Sequence, residues 1–245
     1  MNTAKTKLKT LNPSTEEVLK EYDIMTRDEI IESVKSARKA FTDWKKDIHR
    51  RAEFLYAFAS EFRKNKENLA RTATLEMGKA IKESRSEVEK CAWVVEYYAD
   101  NGKIFTSEEV VNTDARKSII RFEPIGVIGS IMPWNFPYWQ ALRFASPSLM
   151  AGNIIVLKPA SATMQCGIEI EKAFNKAGLP EGVFQTLVGD SSIAETLIDS
   201  DINAVTFTGS VAVGGRVAQR ATSQIKKTVL ELGGSDPFIV CDDAD

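Results

Sequence analysis

Phe122–Ser161 reads FEPIGVIGSIMPWNFPYWQALRFASPSLMAGNIIVLKPAS, and the rest of the chain is organised around it. An apolar run, Gly126-Val127-Ile128-Gly129-Ser130-Ile131-Met132, ends on the sharp turn Pro133-Trp134-Asn135-Phe136-Pro137. A mostly apolar segment, Tyr138 to Met150, closes at Ala151-Gly152, and a second run, Ile154 to Leu157, ends on Lys158-Pro159. Short β-branched runs alternating with longer segments predict a parallel sheet with crossover helices. Ligands of such sheets sit just past the carboxyl ends of the strands, where Asn135 and Lys158 both fall.

The same pattern continues downstream. Strands are expected at 125–132, 153–157, 183–188, 203–208 and 227–231, with helices at 138–150, 162–177, 191–199 and 212–221. Upstream, Leu8 to Asp23 reads as a hairpin turning at Asn12-Pro13-Ser14-Thr15-Glu16, followed by the capping-box sequence Thr26-x-x-Glu29. Helical spacing then predicts one helix through Trp44, a second fading at Asn65, and a third from Glu67 to Met77 stopped by Gly78. A fourth is expected to stop at Gly102. These helices form a packing layer, and Cys91 falls on their apolar face as a buried thiol. Lys117–Glu123 suits an edge or protruding strand. The fold class is α/β: a Rossmann-like parallel sheet with helices on both faces, an N-terminal helical layer and one protruding strand.

Composition narrows the function. The 245 residues are long enough for a substantial core, and a net charge of −2 gives no support for nucleic-acid or acidic-membrane binding. No apolar run approaches the ~20 residues that span a bilayer, and MNTAKTKLKT lacks the apolar core of a signal peptide. Cys91, Cys166 and Cys241 lie far apart, which suits a reducing cytoplasm and no disulfide or metal cluster. One histidine, His49, argues against a Ser-His-Asp or His-metal site.

Three features could carry chemistry, each with two readings. Thr208-Gly209-Ser210 sits between a strand and a helix, either a phosphate site at a helix N-terminus or an ordinary turn. Its spacing is not the G-x-G-x-x-G of the dinucleotide fingerprint. Glu231, at a strand end beside Leu232-Gly233-Gly234, is a desolvated general base or a solvated carboxylate. Asn135 aims an amide at an oxyanion or serves its turn.

Six ordered motifs together resemble the aldehyde dehydrogenase superfamily. They are the Asn12-Pro13 hairpin, Glu76-Met77-Gly78-Lys79, Pro133 to Pro137, Lys158-Pro159-Ala160-Ser161, Phe207-Thr208-Gly209-Ser210 and Glu231-Leu232-Gly233-Gly234. Within it, WNFPYWQALRFASPSLMAGN is most similar to the succinate-semialdehyde dehydrogenases. The resemblance implies NADP or NAD as cofactor and an aldehyde, succinate semialdehyde, as substrate. It implies that Asn135 donates to the oxyanion and that Glu231 activates water or the nucleophile. Lys158 and Ser161 would hold the adenosine ribose, and Ser210 with its helix the pyrophosphate. Gly189 and Val213 would meet the adenine, while Met132, Pro133, Trp134, Thr208, Gly209 and Leu232 complete the cofactor site. Arg143, eight residues after Asn135 and about two turns into the next helix, would bind the substrate carboxylate, with a surface or subunit salt bridge as the other reading. Ser161 replaces the glutamate frequent in NAD-preferring relatives, so NADP is expected to be accepted.

In this family a cysteine thiolate attacks the aldehyde, hydride passes to nicotinamide and water cleaves the thioester. That cysteine lies beyond the Glu-Leu-Gly-Gly motif. Cys166 is expected inside a helix, and Cys241 at the end of a strand Pro237–Val240 beside carboxylates that blunt its thiolate. Residues 1–245 are therefore read as the coenzyme-binding domain, with 108–124 forming an oligomerisation strand. The catalytic cysteine domain is expected to be absent, supplied by a second chain if at all; a homo-oligomer is expected for the full-length family. The alternative is an inactive nucleotide-binding or interaction fragment.

Overall fold

A computed structural model describes residues 6–244. Strands β1 (Lys7–Leu11) and β2 (Val18–Asp23) pair antiparallel, with Asn12 Oδ1 accepting from Ser14 N in the turn between them. Helix α1 (Arg27–Trp44) begins at the full capping box: Thr26 Oγ1 accepts from Glu29 N, and Glu29 accepts from Thr26 N. Helices α2 (Ile48–Lys64), α3 (Lys66–Met77) and α4 (Ile81–Phe105) follow.

The α4 boundary departs from expectation, since the helix runs on through Gly102 to Phe105. A Cβ at Gly102 would lie 2.2 Å from Met150 Cγ, so this glycine admits a neighbouring side chain rather than ending a helix. Beyond it, β3 (Glu109–Val110) pairs antiparallel with β4 (Ile119–Ile120) in an exposed arm. Of the expected 117–123 strand, Ile119 and Ile120 form this ladder, and Ser118 O accepts from Val111 N at 2.9 Å.

The principal sheet contains β5 (Val127–Ile131), β6 (Ile154–Lys158), β7 (Phe184–Thr186), β8 (Ala204–Gly209) and β9 (Lys227–Leu232). Its order is β7-β6-β5-β8-β9, parallel throughout, and each strand falls within the range expected for it or one residue beyond. Helices α5 (Trp139–Met150) and α6 (Met164–Lys176, after a 3-10 turn at Ser161–Thr163) serve the crossovers on one face. Helices α7 (Ser192–Asp199) and α8 (Val211–Thr222) lie on the other with α1. Helices α2, α3 and α4 form a second layer against α5 and α6.

Both layers share one core. Phe58 stacks on Phe174 at 3.9 Å between centroids, and Phe62 meets Tyr138 edge-on at 5.5 Å. Two buried carboxylates, Glu76 and Glu87, and the partly buried Glu171 serve the backbone of neighbouring elements. Glu76 of α3 accepts from Gln165 N and Cys166 N at the start of α6, and Glu87 of α4 accepts from Tyr138 N and Trp139 N at the start of α5. Glu171 accepts from Thr186 N. Burial pushes Glu76 and Glu171 above the usual carboxylate range, against the pull of those hydrogen bonds.

The expected strand at 237–240 does not form. Phe238 is 91% exposed, and no strand of the described residues lies beyond β9 to pair with it. Apolar, β-branched composition without a partner does not make a strand.

Candidate functional site

Chain order β5, β6, β7 runs outward on one side of β5, and β8, β9 on the other, so the sheet reverses between β5 and β8. A crevice opens there at the carboxyl ends of the strands, where open α/β sheets bind ligands. Its volume is about 1070 Å³. The floor is Met132, Pro133 and Trp134 after β5, Lys158 and Ser161 at and after β6, and Thr208 and Gly209 at the end of β8. Residues of α7 and α8 form the walls, among them Glu195, Ile198, Val213, Arg216 and Val217. A second groove of about 820 Å³ lies against α1, α2 and the 180–183 segment that leads into β7, and none of the expected site residues lines it.

Lys158 is buried, and burial draws its ammonium below the usual lysine range while the charge of Asp190 works the other way. Asp190 itself is held below the carboxylate range chiefly by the Ser192 hydroxyl (2.6 Å) and then by Ser192 N (2.8 Å), with Lys158 contributing. At α8 the N-cap Ser210 accepts from Val213 N at 3.4 Å, and Gly214 N bonds back to Ser210 O. The N–H groups of Val211 and Ala212 have no acceptor within their own helix, and the positive end of the helix dipole lies beside them. The first turn of α8 contains no acidic side chain. Together with the Lys158 ammonium, this arrangement suits a polyanion.

Three expected cofactor residues stand off the crevice lining. Gly189 is buried behind Ile193, next to Asp190, which does line the cleft. The Ser210 hydroxyl is occupied as a cap acceptor. Leu232 packs on α8, where a Cβ at Gly214 would fall 2.3 Å from its Cδ2.

Glu231 and Leu232 are adjacent on β9 and therefore face opposite sides of the sheet. Leu232 faces α8, so Glu231 faces α5, in register with Thr208. On that side Arg143 Nη1 approaches Glu231 Oε1 at 3.4 Å, and Arg143 Nη2 donates to Gln140 Oε1 at 3.2 Å. Arg143 Nε is buried without an acceptor. The Glu231 side chain is 53% exposed, which fits the second of its two readings, a solvated carboxylate at the strand end. Asn135 lies exposed at the turn between β5 and α5. Its Oδ1 accepts from Phe136 N at 3.1 Å, which points the two donors of its Nδ2 elsewhere. The turn reading and the donor reading are therefore compatible.

The cysteines do not join either group. Cys91 and Cys166 are buried, and burial raises both thiols well above their usual range. Cys241 is exposed beyond β9 and lines no part of the crevice. Sequence reasoning missed most of the α7 and α8 walls, including Asp190, Glu195, Arg216 and Arg220. Helical periodicity marks their elements but not the crevice they enclose.

The aldehyde dehydrogenase family model matches residues 1–245. A Synechocystis protein named probable succinate-semialdehyde dehydrogenase, NADP(+), is 44% identical over 238 residues, covering 96% of this chain and 52% of its own length. A Mycobacterium tuberculosis succinate-semialdehyde dehydrogenase, NADP(+), is 40% identical over 241 residues, covering 96% and 53%. The crystal structure of succinic semialdehyde dehydrogenase from Streptococcus pyogenes in complex with NADP+ superposes with a TM-score of 0.91 at 33% identity. That superposition covers 97% of this chain and 53% of the other. The chain thus spans about half the length of the curated relatives it matches. No helix among the described residues is long and apolar enough to cross a membrane. With a match along its whole length and relatives of the same fold, the chain belongs to the aldehyde dehydrogenase family.

Proposed function

We propose that residues 1–245 are the coenzyme-binding portion of a cytoplasmic aldehyde dehydrogenase that takes NADP, and also NAD, and oxidises succinate semialdehyde to the carboxylate. The observation that carries this reading is the crevice at the β5/β8 reversal, with buried Lys158, Ser161 and the open N-terminus of α8 around it. These groups fit a dinucleotide. The first turn of α8 receives the pyrophosphate, Lys158 and Ser161 the adenosine ribose, and the α7 and α8 walls the adenine. Ser161 sets no carboxylate against a 2′-phosphate, and Lys158 supplies a cation for it. When bound, the nicotinamide supplies the hydride acceptor.

The opposite face of the sheet takes the aldehyde. Asn135 Nδ2 donates to the carbonyl oxygen as negative charge develops there. Arg143, with its Nε lacking an acceptor, pairs the distal carboxylate of the substrate. Glu231 accepts a proton from the attacking water or thiol. With two of the three thiols buried and Cys241 outside the crevice, the attacking cysteine comes from outside these residues, on a second chain or a further segment. The exposed β3–β4 arm, with Val110 and Ile120 at its surface, is the proposed oligomerisation segment within 108–124.

Calorimetric titration of the purified chain with NADP and with NAD tests the reading. Saturable binding of both, tighter for NADP, is expected; a folded chain that binds neither overturns it. Covalent capture of aldehyde by one of its own thiols contradicts the assignment of the nucleophile.

A further inference from the structure

The Pro133–Pro137 turn, which presents Asn135, is gripped from beneath by charged side chains that the proposed chemistry does not use. Glu87 of α4 has a side chain only 1% exposed, and its Oε1 accepts from Tyr138 N and Trp139 N at 2.9 Å each. Its Oε2 accepts from Lys79 Nζ at 2.5 Å. Lys79, 6% exposed, sits in the link between α3 and α4 with its Nζ 4.1 Å from the centre of the Phe136 ring. One turn along α4 from Glu87, Lys90 Nζ lies 3.8 Å from the centre of the Trp139 ring.

We infer that the Lys79–Glu87 ion pair is a positioning device for Asn135, clamping the residues on its downstream flank so that its amide is held in one direction. This rests on the proposed role of Asn135 as oxyanion donor. The geometry surrounds that residue unevenly. Phe136 is held by a cation over its ring, and Tyr138 and Trp139 by a carboxylate on their N–H groups, while among the described residues the Asn135 side chain makes the local bond to Phe136 N alone. A buried ion pair is a poor way to gain stability, because desolvation offsets most of its Coulomb attraction. Its advantage is fixed geometry, and an oxyanion donor needs that, since a displacement of about 1 Å costs on the order of 100-fold in rate.

The test uses the full ¹⁵N-labelled chain. The side-chain amide of Asn135, assigned by its loss in Asn135→Asp, is followed with the backbone amides of Phe136 and Ile155, alongside thermal unfolding. Lys79→Met and Glu87→Gln are expected to shift or broaden the Asn135 and Phe136 signals by several line widths. Ile155, in the middle of the sheet, stays in place, and Lys79→Arg restores the native positions. Phe136→Leu removes the exposed ring beneath the ammonium without touching the core, so it remains informative if the buried variants fail to fold. It too should move the Asn135 signal. Unmoved Asn135 and Phe136 signals in folded variants, or equal shifts at Ile155, overturn the inference. Dinucleotide titration of the unsubstituted chain tests the underlying reading separately, and neither result determines the other.

Discussion

The two sides of the sheet at its carboxyl end are built differently. On the α7 and α8 side the crevice is walled, its lysine is buried, and the neighbouring carboxylate Asp190 is already engaged by Ser192. On the α5 side Asn135 is exposed and Arg143 and Glu231 meet across 3.4 Å at the surface. The first side is organised before any ligand arrives, so its side chains lose little entropy on binding. The second has the polar groups for carbonyl chemistry but no wall to exclude water, and electrostatic catalysis weakens in water.

Substitutions that act on one side only should sharpen this contrast. The largest effect is expected from Lys158→Ala, which removes the buried cation. NADP affinity should fall about 30- to 100-fold, the range of a charge-assisted hydrogen bond, with a smaller loss for NAD. Titration calorimetry with both cofactors reads it, and equal losses would mean that Lys158 does not face the 2′-phosphate. Ser161→Glu should follow, weakening NADP roughly 10-fold or more through carboxylate–phosphate repulsion while leaving NAD unchanged or tighter.

A smaller effect is expected from pH. The Lys158 ammonium titrates below 10.5 because it is buried, so the protonated form that attracts a phosphate is lost as pH rises through that lowered value. The preference for NADP over NAD should begin to decline at a lower pH than an ordinary lysine would allow; a preference that stays flat up to pH 10.5 would contradict the assignment. The smallest effect belongs to the other side. Arg143→Ala or Glu231→Ala breaks a half-exposed ion pair worth about 0–1 kcal/mol. Melting temperature should move by no more than a few degrees, and dinucleotide affinity should be unchanged. A large loss of affinity in either variant would join the two sides into one site.

Much of the architecture was legible because local and global preferences agree. The runs at 127–131 and 154–158 are apolar on both faces, as a sheet covered by helices requires, and glycine or proline brackets them. Gly102 misled because a helix stop and a close helix contact use the same residue, and only the position of Met150 separates them. Pro237–Val240 misled because strand propensity is realised only against a neighbour. For the candidate site, Lys158 and Gly209 stood out by their places after strands and Ser161 by the family resemblance, and all three line the crevice. The crevice walls were not, since Arg216 and Glu195 meet the floor only through the α7 and α8 packing. Nor was the service of Glu76 and Glu87, which cap helices far along the chain.

Those two glutamates have a consequence for assembly. Neither α5 nor α6 receives a cap from the residue that precedes it, and each takes its acceptors from a helix of the outer layer. Until α3 and α4 dock, four N–H donors at the crossovers lack these acceptors, and the two that folding buries fully, at Tyr138 and Cys166, are costly to leave unmet. The sheet and its N-terminal helices should therefore melt as a single cooperative unit, and a fragment beginning at residue 107 should be left without a way to close its first two crossovers.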